Sequence, residues 1–330
     1  MHTITIEDIA EALGISKTTV SRALSGKGRI SEATKEKVRK YAAEHDYQPN
    51  VMARGLAQRR TYNIAVVTPD DNETTALAFF HRCLVGIISG TEEHGYDVLI
   101  TAERGNRVNE LERIVRNGKA DGVILARTFI DDKRIGYLTE NNIPCVVIGS
   151  SQVEGVVSID NDNVGGSREM TERLIKRGVK KPALFGGSSE HFVTAQRLEG
   201  FDSALRENGL EIDEDLLFMD MHDKKVLEDA IATALAAGAD CLLCMDDDIA
   251  ERTLKICKAK DVLIPGQVSV ASFYDSPVLE QTAPAISAVR YDGQSLGRKA
   301  AETLIKMIDG VGVSDIPMEG FEIRLRESTR

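Results

Sequence analysis

The chain has 330 residues, 42% of them hydrophobic, with 41 Lys/Arg against 52 Asp/Glu and a formal charge of −11. That length exceeds one ordinary domain and points to two or three units, and the composition is that of a globular protein. No apolar run approaches membrane-spanning length, and Met1-His2-Thr3-Ile4-Thr5-Ile6-Glu7-Asp8 lacks the basic-then-apolar order of a signal peptide, so the protein is expected in the cytoplasm with no membrane partner. The acidic total looks unsuited to nucleic acid, but the charge is unevenly placed. Residues 1–60 hold 11 Lys/Arg and 7 Asp/Glu, while the remainder holds 30 and 45. Positive charge is concentrated where phosphate contact would need it.

The first residues read as two short helices broken at Gly14. Thr5 with Asp8 three residues later fits a capping box. Ile6, Ile9, Ala10 and Leu13 then repeat at helical spacing. Gly14 can take the positive φ of a tight turn, and Ser16 can accept the first free N–H of a second helix. Val20 and Leu24, one turn apart, face the core. Lys17, Thr18, Ser21 and Arg22 are left outside. A helix packed on one side and presenting those residues on the other suits the DNA major groove. The alternative is a plain helical hairpin with a solvated face. A third helix is expected from Ser31, its cap, to Glu44, with Val38, Tyr41 and Ala42 inward. Pro49 disfavours helix at Gln48. Residues 51–60 have room for two helical turns, too few to be stable alone and weakened by Gly55; a flexible linker is the other reading.

From Tyr62 short apolar runs alternate with amphipathic stretches. Strands are expected at Asn63–Thr68, Asp97–Thr101, Gly122–Ala126, Cys145–Gly149, Ala183–Gly186, Cys241–Met245, Val268–Ser272 and Ile286–Arg290. Helices are expected at Leu77–His94, Val164–Arg177, Thr194–Asn208, Lys224–Ala237 and Ile249–Lys260. Such alternation implies parallel sheets covered by helices, and the strands are too many for one compact sheet, so two lobes are expected. Cys83, Cys145, Cys241, Cys244 and Cys257 all lie in apolar segments. Cys241 and Cys244 have metal or redox spacing, but no second pair completes a site, and core packing is the better reading.

Open α/β sheets bind ligands beyond the carboxyl ends of their strands. Candidates at such places are Asp70, Arg127, the run Asp246-Asp247-Asp248, Tyr274 and Asp275, with Phe80 as an aromatic platform. The three aspartates suggest a metal less than a strand end whose last carboxylate caps the next helix. Arg127 either lines a cleft or is a solvated loop charge. No Gly-rich phosphate loop, nucleophile elbow or His-centred triad appears, so no catalytic residue, cofactor or metal is assigned.

Thr5-Ile6-x-Asp8-Ile9-Ala10, Gly14-Ile15-Ser16 and Thr19-Val20-Ser21-Arg22-x-Leu24 resemble the signature of the lactose/galactose repressor family of bacterial transcription regulators. Residues 324–330 resemble that family's usual ending, so the resemblance spans the chain. It implies an α/β protein with an N-terminal all-α helix-turn-helix DNA-binding domain (1–48) and a hinge helix or linker (49–60). A two-lobed periplasmic-binding-protein-like core of parallel sheets (61–330) would follow. Lobe 1 would hold about 61–159 and 291–319, and lobe 2 about 160–290 and 320–330. In the family the hinge folds on the operator and a leucine wedges into the minor groove; Leu56 matches that wedge, with Asn50 and Ala53 at matching contact positions. Lys17, Thr18 and Arg22 would read bases, and Thr5, Ser16, Ser21, Ser25 and Ser31 would hold phosphates. Arg197, in Arg197-Leu198-x-Gly200-Phe201, matches an effector-contacting arginine, and Asp246 an effector-contacting polar residue.

The sequence also departs from the family. Ser272-Phe273-Tyr274-Asp275 replaces Gly-Tyr/Phe-Asp-Asp, so Tyr274 stands where an effector-binding carboxylate is usual. Gly149 stands where some relatives place an aspartate. Arg127 and Arg197 together would suit a sugar acid or sugar phosphate. The expected function is a transcription regulator, in this family most often a repressor. It would bind a pseudo-palindromic double-stranded operator as a homodimer, without the leucine heptad tail of tetrameric relatives, and answer to a sugar-derived effector. The alternatives are a carbohydrate-acting enzyme or a solute-binding protein, the latter opposed by the missing signal peptide and the basic first 60 residues.

Overall fold

The computed structural model describes residues 4–25, 28–47, 55, 58–69, 76–313 and 316–329. The chain forms two compact units, one ending at Thr61 and the other beginning at Tyr62. The expected contacts Asn50, Ala53, Leu56 and Asp70 lie outside the described residues, and of Ser25 only the backbone is described.

In the first unit, α1 (Ile6–Leu13) starts on a complete capping box: Thr5 Oγ1 accepts from Asp8 N at 3.3 Å, and the Asp8 carboxylate accepts from Thr5 N at 2.8 Å. Gly14 ends it at φ 64°, in the left-handed region. α2 (Lys17–Ser25) begins where Ser16 Oγ accepts from Thr19 N, and α3 (Glu32–Glu44) where Ser31 Oγ accepts from Thr34 N. Ile9, Val20, Ala23 and Val38 are fully buried between the three helices. That packing leaves Lys17, Thr18, Ser21 and Arg22 exposed on α2.

The second unit holds two sheets. The first comprises β1 (Asn63–Pro69), β2 (Asp97–Glu103), β3 (Gly122–Leu125), β4 (Cys145–Ile148) and β5 (Val157–Ile159), all parallel in the order β2-β1-β3-β4-β5. It is covered by α4 (Ala76–Glu92), α5 (Asn109–Arg116) and α6 (Lys133–Glu140). The chain then crosses to α7 (Asn163–Lys176) and the second sheet: β6 (Pro182–Phe185), β7 (Leu217–Phe218), β8 (Cys241–Cys244), β9 (Ser269–Ser272), β10 (Ser287–Tyr291) and β11 (Phe321–Arg324). The order is β11-β10-β9-β8-β6-β7, parallel except for β11 against β10. Its helices are α8 (Phe192–Glu207), α9 (Lys224–Ala236), α10 (Asp247–Ala259) and α11 (Pro277–Gln281).

After β10 the chain returns: α12 (Gly293–Ile308) packs on the first sheet, burying Leu296, Ala300, Ala301 and Leu304 against Ile64 and Val66. It meets α4 backbone to backbone. A Cβ on Gly297 would lie 2.0 Å from the Cys83 carbonyl oxygen, and one on Gly86 would lie 2.0 Å from that of Gln294, so both positions exclude side chains. A third crossing leads to β11. The five cysteines are all buried, and burial pushes the Cys145 thiol up to about 12 and that of Cys257 to about 11. Cys241 and Cys244 are core residues of β8. Among the described residues no helix is long and apolar enough to cross a membrane.

Candidate functional site

The outer face of α2 is one candidate site. Lys17 Nζ lies 2.5 Å from Glu7 Oε1, with both side chains exposed, and this contact holds the Glu7 carboxyl below its ordinary range. An exposed pair contributes little, so a phosphate or base edge can replace Glu7 at small cost. Thr18, Ser21 and Arg22 stay exposed. Thr5, Ser16 and Ser31 cap three helix N-termini. Free backbone N–H groups at such ends suit phosphate oxygens.

The second candidate is a cleft between the two sheets of the core, about 1040 Å³ counting the space open to solvent. Its walls come from the carboxyl ends of strands in both lobes. β3 delivers Arg127 and Thr128, β4 Gly149, β6 Gly187 and Ser188, β8 Asp246 to Asp248, and β9 leads to Tyr274. α4 adds Phe79 and Phe80, and the first crossing adds Asp160, Asn161 and Asn163.

Arg197 reaches the cleft from α8, and its motif is a packing device. A Cβ on Gly200 would lie 2.1 Å from Ser167 Oγ and 2.2 Å from the Val164 carbonyl oxygen, so glycine lets α8 close on α7. Phe201 is buried in the second lobe. The helix is thereby fixed with Arg197 inward. Its Nη1 donates to the Met245 carbonyl at 2.6 Å, while Nε is buried without a partner. Arg127 comes from the other lobe, with its guanidinium 5.3 Å from the Phe80 ring centroid and its Nη1 3.5 Å from His191 Nε2. It lines the cleft rather than standing in solvent.

The aspartate run divides its labour differently from the sequence expectation. The first residue, not the last, caps α10: Asp246 Oδ1 accepts from Ile249 N at 2.8 Å. Asp248 pairs with Arg252. Asp247 is 5% exposed, and burial, with Asp246 beside it, pushes its carboxyl up to about 7. No group of three metal-ligating side chains occurs among the described residues. Tyr274 lines the cleft, edge-on to Phe79 at 5.8 Å, and burial pushes its hydroxyl above the ordinary tyrosine range. Asp275 does not reach the cleft. It lies just past the bend after β9, where the Arg326 guanidinium draws it away from the cavity. There it binds Arg326 through both oxygens, at 2.8 and 2.7 Å.

Sequence reasoning missed the cleft floor. The Asp160 carboxylate accepts from Ser150 Oγ, Gln196 Nε2, Asn161 N and Asn163 Nδ2 at 2.8–3.1 Å, and burial still holds its carboxyl above the ordinary range. The one available signal was the polar run Asp160-Asn161-Asp162-Asn163 after an apolar strand. Also missed was a contact between the lobes. Ile130 N donates to the Glu190 carbonyl at 3.0 Å and Phe192 N to the Thr128 carbonyl at 3.3 Å, with Phe129 opposite His191 as an antiparallel pair. The Phe129 loop is braced from behind by Arg134. Its fully buried guanidinium binds both Asp132 oxygens and the Arg127 carbonyl, and lies 4.8 Å from the Phe129 ring centroid.

Asp247 gives a pH test. A carboxyl raised from about 4 to near 7 binds a proton in the folded state where the unfolded chain does not. Its contribution therefore stabilises the fold as pH falls from about 8 to about 5, and is lost as pH rises through 7. Asp247→Asn is expected to flatten the rise in melting temperature across that window, leaving the part due to Asp160, whose carboxyl is also raised. Calorimetric scans at four pH values decide; an unaltered slope rules the assignment out.

Residues 5–50 match the bacterial regulatory proteins of the lacI family, and residues 171–329 match a periplasmic binding protein-like domain. The HTH-type transcriptional regulator CelR of Thermobifida fusca is 31% identical over 313 residues, covering 93% of this chain and 92% of CelR. Among solved structures, a CelR–cellobiose complex superposes with a TM-score of 0.74 at 27% identity, covering 98% of this chain and 99% of that one. A lac repressor dimer bound to operator and the anti-inducer ONPF shares the fold, with a TM-score of 0.81 at 22% identity and 99% coverage of both chains.

Proposed function

This chain belongs to the lacI family of bacterial regulatory proteins, and we propose from that premise that it is a sequence-specific repressor released from or held on its operator by a sugar bound between the lobes. The observation that carries this reading is the cleft itself, built jointly by two lobes, in a chain whose first unit exposes Lys17, Thr18, Ser21 and Arg22 along one helix. The similar CelR–cellobiose complex supports a carbohydrate-derived ligand. The aromatic rings of Phe79, Phe80 and Tyr274 suit the C–H faces of a sugar, and Arg197 and the aspartates suit its hydroxyls. Asn50, Ala53 and Leu56 are proposed as further DNA contacts. Val85 and Ile88, one turn apart on α4 and 39% and 46% exposed, support a homodimer, the form that reads a pseudo-palindrome. The chain carries out no reaction in this reading and works in the cytoplasm, where its operator is.

Selection of duplexes from a randomised pool with the full chain, followed by titration with sugars, tests the proposal. One pseudo-palindrome should bind at least about 1000-fold above random duplex, and one sugar should change that affinity by about 5- to 150-fold. No enriched sequence, or no responsive sugar, would sink it. Arg22→Ala is expected to cost about 1–3 kcal/mol on the selected duplex and to relax specificity at one base pair. Equal loss on every sequence would make Arg22 a phosphate contact.

A further inference from the structure

The first crossing between the lobes holds a polar group that the fold does not use. Asn161 follows β5 and sits between two backbone hydrogen bonds to the third crossing: Glu319 N donates to the Asp160 carbonyl at 2.8 Å, and Asp162 N donates to the Glu319 carbonyl at 2.9 Å. Its own carbonyl accepts from Asn163 N at 2.8 Å and Asn163 Nδ2 at 3.2 Å. The backbone is therefore fixed. The side chain is 4% exposed and lines the cleft, yet Oδ1 is buried without a partner. Its neighbours Ser150, Asp160, Asn163 and Gln196 form a network that Asn161 joins through its backbone alone. Buried amide oxygens are nearly always paired, and an unpaired one is destabilising. A second orphan faces the same cavity, Arg197 Nε, which can only donate.

We propose that Asn161 is a ligand contact, its Oδ1 accepting from a hydroxyl of the bound sugar while Arg197 Nε donates to an oxygen of the same molecule. This rests on the sugar reading above and narrows it. A buried acceptor beside the cleft asks for a donor, which a sugar hydroxyl supplies and a carboxylate or phosphate group placed there does not. It also puts a ligand contact on a segment that joins the lobes.

The test uses the full chain and Asn161→Leu, which keeps the volume and removes the orphan acceptor, together with Asn161→Ala. Without sugar, Asn161→Leu is expected to melt about 2–4 °C above wild type, because an unpaired buried acceptor has been removed. A lower or unchanged melting temperature shows that the amide serves the fold and overturns the proposal. Cellobiose, maltose, glucose, and matching sugar acids and phosphates are then titrated calorimetrically. Both variants should lose at least about tenfold in affinity for whichever neutral sugar binds wild type, the worth of one hydrogen bond. Variants that bind it as wild type does overturn the assignment of Asn161 alone. Wild type that binds only the acids or phosphates, with affinities unchanged in both variants, places no hydroxyl at Asn161 and overturns the proposal. Wild type that binds nothing overturns the sugar reading and this inference with it.

Discussion

Arg197→Ala is expected to weaken sugar binding by about 100-fold or more and to leave operator affinity unresponsive to sugar. The size follows from what the guanidinium touches. A hydrogen bond to a charged group contributes about 1.5–3 kcal/mol, and two lost from the ligand exceed two decades in Kd. The side chain is held in one pose by the Met245 carbonyl at 2.6 Å, so its remaining donors are pre-aimed and little ordering is needed on binding. Its charge also lowers the Asp160 and Asp247 carboxyls, opposing the burial that raises them. Alanine leaves both carboxyls higher still and less able to accept from hydroxyls. Arg197→Lys keeps the charge without the fork and should fall between. Calorimetry with the sugar found for wild type, paired with operator titrations, decides. A loss of threefold or less would mean that Arg197 only ties α8 to β8.

Why Arg197 was legible while Asn161 was not is a matter of how far the signal lies from the residue. Thr5 with Asp8, Gly14, Ser16 and Ser31 act on the backbone within three residues, so the helix-turn-helix can be read locally. All eight runs expected as strands form strands; the central ones are continuous apolar stretches because both of their faces are buried, while β2 is a partly exposed edge strand. The strands missed are β5, the two-residue β7 and β11, whose alternating exposure marks a half-covered edge. α12 was hidden by Gly293 and Gly297, which lower helix propensity locally; Gly297 is required because a Cβ there would lie 2.0 Å from the Cys83 carbonyl oxygen of α4. Arg197 is announced by the glycine three residues on that packs its helix. Asn161 owes its place to the pairing of two crossings some 160 residues apart, and Asp275 its exclusion to Arg326, 51 residues on. Neither leaves a local mark.

The contact between the lobes yields the other large expectation: Phe129→Cys with His191→Cys, once oxidised, should fix operator affinity at a single value whatever the sugar concentration. Phe129 and His191 face each other between the two flanking hydrogen bonds, which is the non-hydrogen-bonded site of an antiparallel pair. Cα atoms at such sites are about 4.5 Å apart, within the range a disulfide spans. The five native cysteines should not compete. All are buried, and Cys145 and Cys257 have thiols raised to about 12 and 11, so little thiolate forms at neutral pH. The loop carrying Phe129 is already braced by the buried Asp132–Arg134 pair, so the bond adds little distortion. If sugar acts by closing the lobes, the oxidised variant should bind operator as sugar-saturated wild type does, and reductant should restore the response. If the oxidised protein matches sugar-free wild type, the closed form is the resting one and sugar must open it. Because a ligand shifts a two-state equilibrium only by its differential affinity, the ratio of sugar affinities of the reduced and oxidised forms bounds the resting population of closed molecules. A fully oxidised sample whose operator affinity still moves with sugar would show that closure across Phe129 and His191 is not the motion that couples the cleft to DNA.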